Sequence, residues 1–424
     1  MTKVLVQADD FSGAAEVGQQ FAAHGLAARI ALAADSDFQG SGYKGAQVLV
    51  VDTHSRGMSV TAAAAAVKAS CGEPGAGDDR LVFKKTDSLW RGNIGAELSA
   101  LTDLGYHVVL AGAMPVMGRT VVGAKPFVDG AALGSTNLWG AEATLPPADI
   151  TGLVTKNTEV RIAGLDDVRS ADFTAWLEAT LRLSTPAIVV ADGETDADLD
   201  AVVKALAALE FAAAGRPVAL AGTGQIAGVL ARHLGREAAH TAHSPRDAAD
   251  AAGPALDAAP VLAVIGSASP AARRQLEDLS AENFEVIAIN PGGNGPESDG
   301  NSGARLRAAL ADRRRVALTL TDSPVEPQRS AGIVARLALL AQQADQARDG
   351  QEGLRADLIL TGGETARAVL DALGIRSLVP LTAVQHGAVV SEADDGRLVA
   401  TKPGSFGDEH VLAQLYRAIR SHHS

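Results

Sequence analysis

Residues 3–25 read KVLVQADDFSGAAEVGQQFAAHG, and the reading of this stretch decides the fold. KVLVQ at 3–7 is a short apolar run of the kind that forms a buried strand. From about Ser12 to Gly25 the apolar residues recur at helical spacing and the run closes on a glycine. Between the two lie Asp9 and Asp10, where a buried strand would first meet water. The alternation continues outward. ARIALA, AQVLVVD, LVFKKTD and YHVVLAG read as strands, with the alanine-rich segment 59–70 as a helix between two of them. Such a sequence predicts a layered βαβ architecture whose binding loops lie beyond the carboxyl ends of the strands.

Those ends are chemically rich. They read ADD, VDTHSRG at 51–57, KKTDSLWRG at 84–92 and MPVMGRT at 114–120. Adjacent residues of an extended strand face opposite ways, so Asp9 and Asp10 need not enter one site, and one of them suits a helix cap. By the same rule only one of Lys84 and Lys85 should face a pocket. Arg56 could pair locally with Asp52, and Asp87 with Arg91 as a helix-turn ion pair. The alternative is a polar pocket in which Asp52, Thr53, Ser55, Arg56, Asp87, Ser88, Arg91 and Arg119 meet a ligand. Arginine's planar fork suits a carboxylate, and this inventory fits a small polyhydroxy acid better than an apolar molecule.

Residues 119–165 break the pattern and suggest an excursion or small subdomain. Periodicity resumes until 240–260, a stretch poor in large apolar residues with three prolines, which predicts a boundary between domains at 1–245 and 258–424. A second strand–helix series follows. In it IGSAS at 265–269 and LTGGETA at 360–366 each leave a strand, and the latter passes through two glycines into a helix. Gly362 and Gly363 permit close backbone approach, and free N–H groups there would form a phosphate cradle. KPGSFG at 402–407 brings the last lysine, in a chain with no other lysine after Lys204 although arginine is used freely.

Composition removes several functions. The formal net charge of −13 argues against a nucleic-acid surface. Cys71 is the only cysteine, so neither an intrachain disulfide framework nor a cysteine-cluster metal site exists, and its place in CGEPGAG predicts a loop. No signal peptide or membrane span is evident, so a cytoplasmic protein is expected. There is no Walker loop. AGTGQIAG at 221–228 lacks dinucleotide-loop spacing and is better explained by tight helix packing, and neither HExxH nor GxSxG occurs.

Taken in order, QADDFSGAAEVG, VDTHSRG, KKTDSLWRGNIGAEL, MPVMGRT, IGSAS, LTGGETARAVLDALGI and TKPGSFGDE resemble the four-carbon acid sugar kinase family over residues 4–412. The resemblance implies a two-domain α/β protein with mixed or largely parallel sheets. It also implies an acid-sugar-binding N-terminal domain, an ATP-binding C-terminal domain and an active site in the cleft between them. ATP with Mg²⁺ would phosphorylate the terminal hydroxyl, on C4, of an acid such as threonate, erythronate or 3-oxo-tetronate. Carried over, Asp10, Asp52, Arg56, Asp87, Arg91 and Arg119 bind the acid, with Asp87, Asp10 and Arg91 as catalytic candidates. Ser267, Gly362, Gly363, Glu364, Thr365, Lys402, Gly404 and Gly407 fall on the nucleotide side. No protein ligand to the metal is identified, and oligomeric state stays open. SLWRG in place of the commoner STLRG, and the shortened MPVMGR, imply a pocket reshaped by Trp90 and Met117 for a particular epimer. An acid-sugar oxidoreductase and a non-catalytic acid-sugar-binding regulator are the alternative readings.

Overall fold

The computed structural model describes residues 3–32, 45–72, 80–139, 145–154, 158–183, 185–213, 215–241, 259–267, 270–293, 301–321, 329–346, 355–404 and 406–423. Two compact units, Met1–His243 and Ser244–Ser424, account for the chain. Most of the predicted boundary at 240–260 lies outside the described residues.

The first unit opens with β1 (Val4–Ala8), α1 (Phe11–Ala23), β2 (Ala28–Ala31), β3 (Val48–Asp52), α2 (Val60–Cys71) and β4 (Leu81–Lys85). Next come α3 (Ile94–Asp103), β5 (His107–Ala111) and a small antiparallel sheet of β6 (Arg119–Val122), β7 (Lys125–Val128) and β8 (Ala131–Ala132). β9 (Glu159–Ala163), α4 (Leu165–Val168), α5 (Phe173–Leu181), β10 (Ala187–Ala191) and α6 (Asp196–Ala208) follow. The short β11 (Ala212–Ala213), β12 (Arg216–Gly222) and α7 (Gly224–Thr241) complete it.

The main sheet runs β2-β3-β1-β4-β12-β5-β10-β9, and its neighbours are parallel throughout. Every residue of β1 is buried, as a strand covered by helices on both faces requires. Its one polar member, Gln7, donates to the Val67 carbonyl and the Ser70 hydroxyl of α2, each at 2.8 Å, so burial leaves no amide donor stranded. Cys71 is the last residue of α2 and is buried, not in a loop, because the helix runs further than the glycine-rich composition suggests. The AGTGQIAG stretch is helix packing: Gly224 and Gly228 of α7 face Glu16 and Gln20 of α1, and a Cβ on Gly228 would come within 3.0 Å of the Gln20 side chain.

In the second unit the order is β13 (Val261–Ile265), α8 (Pro270–Ser280), β14 (Phe284–Ile289), α9 (Ser302–Ala311), β15 (Arg315–Leu320), α10 (Ser330–Gln346), β16 (Asp357–Thr361) and α11 (Gly363–Ala372). It ends with β17 (Ser377–Gln385), β18 (Ala388–Ala393), β19 (Leu398–Lys402) and α12 (Val411–His422). The strands lie in the order β14-β15-β13-β16-β19-β18-β17, parallel from β14 to β19 and antiparallel beyond. The β17–β18 hairpin is absent from the sequence reading. Pro380 and two register shifts interrupt the alternation that would have marked it.

Candidate functional site

In the first unit the chain order reverses between β1 and β4, and the polar segments gather at the carboxyl ends of β1, β3 and β4. Arg56 is the hub. Its Nε meets Asp9 Oδ2 at 2.8 Å, Nη1 meets Asp10 Oδ2 at 3.0 Å, and Nη2 lies 3.5 Å from Asp87 Oδ1. Both members of the aspartate doublet therefore join one cluster, contrary to strand alternation. The strand stops at Ala8, and Asp10 is already the N-cap of α1, accepting the Gly13 amide at 2.9 Å. Asp52 instead accepts the His54 amide at 3.0 Å, while Arg56 turns to the three more distant carboxylates.

Asp87 and Arg91 do pair, with Nε to Oδ2 at 2.9 Å and Nη2 to Oδ1 at 2.7 Å. They do so across a loop in which Trp90 takes φ +61°, not on a helical turn. Asp87 Oδ2 also accepts the amides of Leu89 at 3.0 Å and Arg91 at 3.2 Å. Arg119 enters beside this loop and donates Nη1 to the Ser88 hydroxyl, while its Nε is buried without a hydrogen-bond partner among the described residues. The β6–β7 turn behind Arg119 is clamped by Asp192, which accepts the amides of Gly123 and Ala124. Trp139 donates to the Leu89 carbonyl at 2.9 Å and packs with Leu133 against Leu89, so the excursion after β5 braces the Asp87 loop.

Beneath the cluster runs a buried polar chain outside the set favoured from sequence. Lys84 Nζ lies 3.1 Å from Glu97 Oε2, and both side chains are almost wholly buried. Glu97 also receives the Ser55 hydroxyl; Ser55 meets Thr53 Oγ1 at 2.8 Å, and Thr53 donates to the Ala8 carbonyl at 2.8 Å. These bonds fix the segment that presents Arg56. Lys85 turns the other way, toward Gly13 and Glu16 of α1, so the two adjacent lysines obey strand alternation but both are buried. At Gly92 (φ +83°) a Cβ would lie 3.2 Å from Arg56 Cγ, so the arginine stem rests on a bare glycine.

Electrostatics follow this geometry. Burial works against ionisation of Asp9, but Arg56, with Lys84 and Lys85 behind it, holds the carboxyl below the usual range. Burial likewise opposes Asp87, yet the Arg91 hydrogen bonds and the Arg56 charge hold it far below that range. For Arg56, desolvation is outweighed by Asp9, Asp10 and Asp87, and the guanidinium is held more firmly protonated than usual. Arg119 is shifted down, by burial first and also by Arg91.

The second unit places a different site at the equivalent point, between β13 and β16. A cavity of about 280 Å³ is lined by Gly266, Ser267, Thr361, Gly362, Gly363, Glu364 and Thr365, with an apolar wall from Leu320 and α10. Gly362 has φ +84° and precedes α11, whose first turn carries Glu364 and Thr365. Thr361 Oγ1 is buried without a hydrogen-bond partner among the described residues, and a Cβ on Gly266 would collide with the Thr365 hydroxyl. Lys402 is brought alongside: its carbonyl accepts the Gly362 amide at 2.9 Å, and its buried Nζ donates to the Gly404 carbonyl at 3.2 Å. Burial pushes this amine down to about 8. Gly407 has a separate task, because its Cβ would strike Val411 at 2.8 Å where the chain turns into α12. Glycine backbone, hydroxyls, a helix N-terminus and one cation are the donors a polyphosphate takes. Among the described residues no group of three or more His, Cys, Asp or Glu side chains is placed to hold a metal ion, and no helix is long and apolar enough to cross a membrane.

Comparison with known proteins agrees with this division. Residues 4–230 match the sugar-binding N-terminal domain family and residues 262–412 the nucleotide-binding C-terminal domain family. A D-threonate kinase from Cupriavidus necator is 31% identical, over 98% of this chain and 97% of its own length. A 3-oxo-tetronate kinase from Burkholderia multivorans is 27% identical over 97% of this chain and 96% of its own length. A Salmonella typhimurium LT2 structure described as a tRNA synthase superposes with TM-score 0.76 at 20% identity, covering 99% of this chain and 100% of that one, a likeness of fold alone. The kinase relatives set aside the oxidoreductase and non-catalytic regulator readings. The chain belongs to the four-carbon acid sugar kinase family and is an ATP-using phosphotransferase with a small-molecule acceptor.

Proposed function

We propose that the protein transfers the γ-phosphoryl group of ATP to the C4 hydroxyl of a four-carbon sugar acid, with D-threonate the first acceptor to test and erythronate and 3-oxo-tetronate next. The observation that carries this reading is the interlocked Arg56–Asp9–Asp10–Asp87–Arg91 cluster at the strand ends of the sugar-binding domain. Fixed groups of both signs suit a ligand with one carboxylate and several hydroxyls. Arg119, with a buried Nε that has no hydrogen-bond partner among the described residues, and Arg91 take the carboxylate end. The reading places the enzyme in the cytoplasm, where ATP is supplied.

The carboxylates divide the work. Four hydrogen bonds reach Asp87, from two amides and two Arg91 nitrogens, and Arg56 adds its charge at 3.5 Å. A carboxylate offers about four acceptor sites, so Asp87 is saturated and holds the arginines in place. Asp10 accepts one bond on each oxygen, and its side chain is 21% exposed against 7% for Asp87. Asp10 is therefore our candidate to orient the acceptor hydroxyl and accept its proton as the oxygen takes the phosphoryl group, a step whose loose transition state asks little of the base.

On the nucleotide side, the amides at 362–365, the hydroxyls of Ser267, Thr361 and Thr365, and the Lys402 amine hold the phosphate chain. Magnesium brought in with ATP would supply charge neutralisation on the phosphates. The test is a panel of D- and L-threonate, D- and L-erythronate and their 3-oxo forms with Mg·ATP, the product resolved by mass and its phosphate located by NMR. A monophosphate at C4 of one panel member is expected. ATP turnover unaffected by every acid, or a phosphate elsewhere, overturns the reading.

A further inference from the structure

We propose that Lys85 is a substrate-contacting residue, whose ammonium donates to the acceptor oxygen that Asp10 faces across the bare first turn of α1. The inference rests on the acid-kinase reading above and adds to it a cation that the strand-end motif alone did not assign.

Lys85 is only 5% exposed. Its partners among the described residues are the Thr86 carbonyl at 3.0 Å and the Glu16 carboxylate at 3.8 Å. An ammonium carries three N–H donors, and 3.8 Å is an ion pair but no hydrogen bond. Two donors of a buried cation thus have no hydrogen-bonded acceptor, an arrangement that costs stability unless something else uses them. Packing supplies no reason for it, since a methionine would fill the same volume without a charge.

The direction in which Lys85 points gives the use. A Cβ built on Gly13 would lie 2.8 Å from Asp10 Oδ1 and 3.1 Å from Lys85 Nζ. The carboxylate and the ammonium therefore both lie against Gly13, close enough for one oxygen to bridge them. They form no direct ion pair: Asp10 binds Arg56 and the Gly13 amide, and Lys85 leans to Glu16. A hydroxyl oxygen between the two groups would give its proton to Asp10 and accept from Lys85, and the cation would steady the charge that gathers as the phosphoryl group arrives. Glu16 and Arg119 border the same region, so the charges facing Lys85 are Asp9, Asp10 and Asp87 on one side and Glu16 on the other.

The experiment compares Lys85→Met and Gly13→Ala with the wild-type full chain, using the acid that the wild type phosphorylates. For Lys85→Met, kcat/KM for the acid should fall about 10²-fold, with ATP affinity by titration unchanged and the thermal midpoint lowered only modestly, since Asp9, Asp87 and Glu16 lose a neighbouring cation. Gly13→Ala brings a methyl group against both Asp10 and Lys85 and should cost acid turnover while leaving ATP affinity intact, so it decides the matter if Lys85→Met fails to fold. A folded Lys85→Met enzyme with kcat/KM within threefold of wild type overturns the assignment, as does a fully active Gly13→Ala. Failure of the underlying reading looks different, because then the wild type itself shows no acid-dependent ATP turnover.

Discussion

The two units share a plan and differ in chemistry. In each, the first four strands lie in the order second, third, first, fourth, all parallel, and the polar residues collect where that order reverses. The first unit fills that place with three carboxylates and an arginine hub, Arg56, joined by Arg91. The second leaves a cavity of about 280 Å³ lined by glycine backbone and hydroxyls, with one buried cation beside it. Topology fixes where a site sits; the residues just past each strand decide what it takes. A ligand with one carboxylate and stereochemically distinct hydroxyls needs directional side chains, whereas a polyphosphate needs N–H groups and room.

If the first site is an interlocked charge network, removing its hub should be the most damaging change in the molecule. Arg56→Met removes the cation that Asp9, Asp10 and Asp87 share and leaves Asp87 with Arg91 alone. We expect a loss of about 3–5 kcal/mol in stability and a fall in kcat/KM of at least about 10³-fold, read by chemical denaturation and by acid-dependent ATP turnover. A variant that unfolds like wild type would mean the cluster is held by the backbone and not by its charges, and the contrast between the units would lose its basis.

The next test divides the carboxylates within that network. Asp10→Asn should lower kcat about 10²-fold with little change in KM for the acid. Asp87→Asn should instead raise KM and cost about 1–3 kcal/mol of stability, since two arginines lose their anchor. Equal effects on kcat and KM from both variants would make the cluster one unit and reject the division between a proton acceptor and a positioning residue.

The sequence already carried the strand-end logic: ADD, VDTHSRG, KKTDS and TGGET all lie where a parallel sheet puts its loops. What it missed were partnerships between distant segments. Asp52 stands four residues from Arg56 and looks like its mate, yet Arg56 reaches Asp9, Asp10 and Asp87 because the register of β1, β3 and β4 brings those ends together. The Lys84–Glu97 pair under the site was hidden for the same reason, its members being on a strand and the following helix. Thr361 gave no signal, since only burial shows that its hydroxyl lacks a partner. The β17–β18 hairpin was lost to a proline inside a strand. Local periodicity reports an element's own face; it is silent on which side chains converge from several elements.

The smallest expected effect tests the other side of the comparison, where a single buried cation stands among neutral donors. Lys402 has its amine pushed down to about 8 from 10.5 by burial, with the Gly404 carbonyl as its one hydrogen-bond partner among the described residues. The sign can be worked out from proton counts. Between those two values the unfolded chain keeps the proton that the folded chain has released, so stability without nucleotide should rise with pH across about 8 to 10.5. A bound polyphosphate favours the ammonium form, so ATP affinity should move oppositely, weakening above about pH 8. Lys402→Met should abolish both slopes, weaken ATP binding about 10- to 100-fold at pH 7 and raise the thermal midpoint. The signs thus oppose those of Arg56→Met, because one substitution removes a buried charge that has no ion pair among the described residues and the other removes a cation shared by three carboxylates. ATP affinity that stays flat from pH 7 to 9.5, or a Lys402→Met variant less stable than wild type, would mean that the amine is compensated in the resting protein and that the two sites are less different than their geometry implies.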